Sequence, residues 1–204
     1  TFNSTIIDTT APALTQVTPI TTPSTDTTPS YVFTSDTIGT ISSTLGFSST
    51  TTSVVGSNTI TFSALADGTY TGKTVTVTDT AGNVTSLTIP DFTIDANAPV
   101  LSEVTAIVTP SNDTTPSYVF NSDTIGTISS TLGFSSTTTS VVGSNTITFS
   151  ALADATYTGK TVTVTDAAGN TTSLTIPDFT VDTTAPVLTQ VTPITTPSTD
   201  TTPS

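Results

Sequence analysis

The 204-residue sequence contains no cysteine and no histidine, and its only basic side chains are Lys73 and Lys160. Without cysteine there is neither a disulfide framework nor a thiol to report the redox compartment. The usual neutral-pH general base and the commonest nucleophiles are missing with them, so the chain reads as non-catalytic. Paired carboxylates can cleave glycosides, but the aspartates here fall in turn-forming stretches, with no cleft expected around them. Fourteen aspartates and Glu103 against two lysines leave a net charge of −13. Such a surface repels phosphate backbones and anionic headgroups, which argues against nucleic acid and lipid as partners. No apolar run approaches the roughly 18 residues of a spanning helix, so no direct membrane insertion is expected. The opening Thr1-Phe2-Asn3-Ser4-Thr5 is no signal peptide, and the sequence reads as a segment of something longer.

Threonine dominates instead, at 59 residues. It is stiff at χ1 and favours strands, while helix formers are nearly absent. The text also repeats. Tyr31-Val32-Phe33 returns as Tyr118-Val119-Phe120, and Pro29, Pro116 and Pro203 are spaced 87 residues apart. Asp8-Thr9-Thr10-Ala11-Pro12, Asp95-Ala96-Asn97-Ala98-Pro99 and Asp182-Thr183-Thr184-Ala185-Pro186 open successive units. The boundaries are therefore 1–7 (the end of a preceding unit or linker), 8–94, 95–181, and 182–204, the last holding only a first strand. Each opening reads as a short, stiff linker.

Within the first unit, a strand with Leu14, Val17 and Ile20 inward is followed by a turn-rich crossing over 22–29. Ser30–Ser35 reads as a strand with Tyr31 and Phe33 on one face. Ile38 and Ile41 flank Gly39 in the next. Residues 46–58 read as a loop or an edge strand. Thr59–Ser63 alternates with period two, Ile60 and Phe62 inward. Lys73–Asp79 alternates likewise, and Asp79-Thr80-Ala81-Gly82-Asn83 reads as a tight hairpin with Gly82 and Asn83 available for left-handed backbone. The final strand runs through Leu87, Ile89, Phe92 and Ile94, with a bulge at Pro90-Asp91. About seven short strands at this spacing imply an all-β fold of tandem two-sheet Greek-key sandwiches. Tyr70, just ahead of an alternating strand, is placed like the tyrosine corner of immunoglobulin-type sandwiches.

Thr78-Asp79-Thr80-Ala81-Gly82-Asn83, Asp91-Phe92-Thr93-Ile94 and the following Asp-x-x-Ala-Pro together resemble the tandem bacterial Ig-like domains of large surface adhesins. The signature returns as Thr165-Asp166-Ala167-Ala168-Gly169-Asn170 and Asp178-Phe179-Thr180-Val181. The resemblance covers essentially the whole chain. It implies a secreted, extracellular, cell-surface location and a role as extender modules that carry a binding domain away from the cell, in adhesion and biofilm. It also implies calcium at the junctions. Similar repeats that carry a cysteine pair near positions 47 and 73 have no counterpart here, where Phe47 and Lys73 stand.

In such a sandwich the incoming linker, the second turn and the last hairpin share one pole, and the other loops share the opposite pole. That placement gathers Asp26 and Asp67 of the first unit, Asp95 of the linker, and Asp123 and Asp166 of the second unit at one junction. Asp8, Asp36, Asp79 and Asp182 hold equivalent positions at the other junctions. Calcium takes six to eight oxygen ligands, so these carboxylates are the candidate metal site. The plain alternative is that they are turn residues bonded to their own backbone.

The expected partners are neighbouring repeats of the same chain, with homotypic fibre contacts. Two alternatives to a passive stalk stand beside it. The unfinished unit at 182–204 could donate a strand to another chain and build a filament. The Thr-x-Thr faces could bind carbohydrate or ice, although that needs a flat array and sheets twist.

Overall fold

A computed structural model describes residues 7–191 and 201. Among them there is no helix, and every ladder between strands is antiparallel. The first unit has strands β1 (Leu14–Thr18), β2 (Ser30–Ser35), β3 (Gly39–Ser43), β4 (Gly56–Thr61), β5 (Gly68–Tyr70), β6 (Thr74–Asp79), β7 (Val84–Thr88) and β8 (Phe92–Ile94). The second repeats them as β9 (Leu101–Thr105), β10 (Ser117–Ser122), β11 (Thr127–Ser130), β12 (Gly143–Thr148), β13 (Ala155–Tyr157), β14 (Thr161–Thr165), β15 (Thr171–Thr175) and β16 (Phe179–Val181). In each unit the first, second and fourth strands form one sheet, and the third, sixth and seventh form another. The fifth and eighth pair separately.

Period-two alternation decides which side chains meet between the sheets. In β2, Tyr31, Phe33 and Ser35 are buried; in β6, Val75 and Val77 are buried while Thr74, Thr76 and Thr78 turn outward. Ile20, Ile41, Ile60, Phe62, Ile89, Phe92 and Ile94 complete one core. Each burial of this kind is worth about 1.5–3 kcal/mol. The second core consists of the residues 87 positions later, the sole change being Val181 for Ile94. On the outer faces, hydroxyls pair across strands: Thr76 with Ser86 at 2.7 Å and Ser30 with Thr61 at 3.0 Å.

Several strand assignments change. Val17 is half exposed: it lies out of phase with Leu14 and Gln16 and is the extra residue of a bulge between Gln16 and Thr18, whereas Ile20 is buried and Leu14 packs against the core. Ile38 precedes β3 and is exposed. The fourth strand starts earlier than expected, at Gly56, and Phe62 lies just beyond its end. The final strand is two strands in different sheets: β7 pairs with β6, β8 pairs with β5, and Ile89-Pro90-Asp91 is the crossing between them. A proline lacks the N–H a continuous ladder needs there.

Residues 46–53 form a strap that bonds both sheets. Ser48 N–H donates to Thr61 O at 2.9 Å, and Ile41 N–H donates to Thr51 O at 2.7 Å. The strap covers the β3 and β4 edges, which would otherwise offer unpaired backbone to other chains. Residues 182–191 hold no strand, and the remainder of the expected third-unit strand lies outside the described residues.

Candidate functional site

The linker at Asp95 is grasped from both sides. Its N–H donates to Ser24 O at 2.9 Å in the β1–β2 crossing of the first unit. Its carbonyl accepts the side-chain amide of Asn170 at 2.9 Å, from the β14–β15 hairpin of the second unit. Its carboxylate takes Asn97 N–H at 3.2 Å. Ser24 and Ile94 also form a parallel bridge, so the crossing is stitched to the strand that runs into the linker.

Asp67, ahead of β5, accepts Ala96 N–H at 3.0 Å and ties the linker again to the first unit. Asp123, after β10, accepts Val100 N–H at 2.8 Å and Thr124 Oγ1 at 2.9 Å, fixing the start of the second unit. The Val100 N–H and the Thr124 hydroxyl hold its carboxyl below the usual range, against the opposing effect of burial. Asp166 is buried. Burial alone would raise its pKa, but bonds from the Asn170 amide and from the Asn170, Gly169 and Ala168 N–H groups lower it overall. Asp26 stays local, accepting Thr28 N–H at 2.8 Å and Thr28 Oγ1 at 3.2 Å in an Asx turn.

The equivalent positions repeat the pattern. Asp8 accepts Thr10 N–H at 3.0 Å, and its carbonyl takes the Asn83 amide at 3.2 Å. Asp36 caps Ala13 N–H at 2.8 Å, which with the Thr37 hydroxyl lowers its pKa. Asp79 is lowered chiefly by the Asn83 amide, 2.9 Å from Oδ2. Asp182 donates its N–H to Ser111 O at 2.9 Å and accepts Thr184 N–H at 2.9 Å.

The carboxylates therefore act as caps on backbone N–H groups. Among the described residues, no group of three or more His, Cys, Asp or Glu side chains is placed to hold a metal ion. Asp67, Asp95 and Asp166 are linked through the linker and Asn170, whereas Asp26 and Asp123 bond elsewhere. The Oδ1 atoms of Asp67, Asp95, Asp123 and Asp166 face N–H donors.

Sequence reasoning missed three contributors. Asn83 does not take the left-handed backbone expected of it: among the described residues positive φ occurs only at glycine, Gly82 and Gly169 included. Asn83 and Asn170 act through the side-chain amide, and the signal for it is the four-residue spacing from Asp to Asn in both hairpins. Asp154, the counterpart of Asp67, accepts Thr183 N–H at 3.1 Å, Thr183 Oγ1 at 2.8 Å and Thr184 Oγ1 at 3.0 Å. Those bonds, the Thr183 hydroxyl first, lower its pKa.

No protein-family model matches the chain, and no curated protein matches it. No helix of the described residues is long and apolar enough to cross a membrane, a statement that does not extend to strands.

Proposed function

We propose that the chain is a structural spacer: tandem immunoglobulin-like Greek-key sandwiches of 87 residues, serving as the extender of a large bacterial surface adhesin or extracellular fibre. The strand orders β1-β2-β4 and β3-β6-β7 suit a three-plus-three sandwich of that type. The Tyr70 hydroxyl, donating to Ala66 O at 2.7 Å, supports a tyrosine corner. The observation that carries the reading is the double grip on Asp95, whose N–H and C=O are taken by the units on either side. A linker bonded at both ends suits a module whose task is to hold its neighbours at a set separation.

The location that follows is extracellular, and the partners are like modules of the same chain. The joint is read as held by N–H donors rather than assembled by calcium. Small-angle scattering of the 204-residue chain tests the spacer reading. An elongated particle with two separated mass centres supports it, and a single compact particle overturns it. Repeating the measurement with a calcium chelator and with added calcium tests the joint, for which unchanged profiles are expected.

A second reading, strand donation between chains, draws on one observation. Val187, Leu188 and Val191 are about nine-tenths exposed, at 88%, 93% and 92%. They stand in a stretch that copies the β1 region. Concentration-dependent oligomers that vanish on L188D substitution would favour it.

A further inference from the structure

The two linkers are tied to the unit behind them by the same backbone bond, Asp95 N–H to Ser24 O and Asp182 N–H to Ser111 O, each 2.9 Å. They differ in the carboxylate that backs them. Asp67 accepts a single bond, from Ala96 N–H at 3.0 Å. Asp154 accepts three, and they engage both oxygens: Thr183 N–H and Thr183 Oγ1 on Oδ1, Thr184 Oγ1 on Oδ2. The residue after the carboxylate differs, Gly68 with positive φ against Ala155, and so do the two linker positions that supply donors. Thr183-Thr184 supply hydroxyl donors where Ala96-Asn97 supply none to Asp67, although both linkers begin with Asp and end with Ala-Pro. The cores differ at one residue, whereas the linker and first strand differ at positions 96, 97, 100, 102, 103, 106 and 108. Six further differences lie at 112, 121, 155, 167, 171 and 181, so just over half of the variation falls in the linker and first strand.

We propose that the two joints differ in stiffness: the Asp-Thr-Thr linker is locked to the unit behind it by Asp154, and the Asp-Ala-Asn linker is the compliant joint at which an array of these units bends. A carboxylate held through both oxygens by charge-assisted bonds cannot swing without breaking them together. One held through a single N–H can pivot about it. The forward bond from Asn170 ties Asp95 to the second unit, so the motion lies between that linker and the first unit. Asp8-Thr9-Thr10 repeats the locked composition, so joints of the two kinds alternate along the chain. The inference rests on reading the chain as an array, but its test is local to each linker.

Amide exchange measured by NMR on the 204-residue chain decides it. The Thr183 N–H is expected to be protected about tenfold more than the Ala96 N–H, the factor for roughly one additional net hydrogen bond. The A96T/N97T variant should raise protection at position 96 by about the same factor, and T183A/T184N should lower it at 183. T183S/T184S keeps the hydroxyls and should keep the protection, whereas T183V/T184V keeps only the N–H bond to Asp154 and should fall to the level of the Ala96 N–H. Equal protection at both linkers overturns the proposal. So does an unchanged value at position 96 in A96T/N97T with circular dichroism intact, or protection retained in the valine variant. Each of these three failures leaves the elongated shape of the chain unaffected, which is how it differs from a failure of the spacer reading.

Discussion

The side-chain amide of Asn170 donates to the backbone carbonyl of Asp95, 75 residues earlier in the chain, at 2.9 Å, while also holding Asp166 Oδ2 at 2.9 Å. One amide therefore fixes its own hairpin and the linker that enters the unit. Asn83 does the same to Asp79 and Asp8. Substituting N170A should cost about 1–2 kcal/mol, because a buried carboxylate oxygen and the linker carbonyl both lose a donor. Urea unfolding of the variant checks it. The N170D variant should be worse, since a second carboxylate would face Asp166.

The Tyr70 and Tyr157 hydroxyls donate to Ala66 O and Ala153 O at 2.7 and 2.9 Å. Y70F removes the bond but keeps the ring stacked on Phe92, whose centroid is 5.1 Å away. The expected loss is about 0.5–1.5 kcal/mol, the net worth of one hydrogen bond. Y157F should match it, and thermal unfolding of both variants is the check.

Gly39 lies where a Cβ would collide with the Thr78 carbonyl oxygen, and Gly126 stands in the same relation to Thr165. Both obstacles are backbone of a paired central strand and cannot turn aside. G39A and G126A should each destabilise by about 1–3 kcal/mol, the usual range for overpacking. Equality of the two values would itself show that the units fold alike.

Acid and alkali should act through different residues. Asp36, Asp79, Asp123, Asp154 and Asp166 titrate below their ordinary value in the folded chain. Their contribution is complete above the unfolded value of about 4 and is lost as pH falls through the lower folded values. Tyr31 and Tyr118 are raised, by burial in both cases and also by Glu103 beside Tyr118. The stability they add is complete below about 10 and is lost as pH rises through their folded values. Unfolding free energy should therefore be level between roughly pH 5 and 9 and fall on both sides. In repeat two the Tyr118 hydroxyl donates to Glu103 Oε2 at 3.1 Å, where repeat one has Gln16. E103Q should bring the phenolate titration of Tyr118 down toward that of Tyr31.

Much of the architecture was legible because period two is a strong signal when few charges obscure it. Tyr31, Phe33, Ile60, Phe62, Val75 and Val77 are buried as their alternation implies. Val17 was misplaced because the three-residue spacing of Leu14, Val17 and Ile20 is not the period of a strand: Leu14 and Gln16 share the inner phase, and Val17 falls on the outer one at a bulge. Nor was the division of the last strand. Pro90-Asp91 looked like a local irregularity, yet the chain there changes sheets, which only the distant partners β5 and β6 decide. At the linker, the aspartates were conspicuous but their donors were not. A carboxylate in a sequence does not say whether an N–H or a cation will meet it, and the partners of Asp67 and Asp166 are spread over both units.

That 87-residue units set a length can be measured by electron microscopy of arrays of two, four and six units. The contour length should grow by a constant increment per unit, unaltered by chelator. A length that levels off as units are added, or that collapses when calcium is removed, would contradict it.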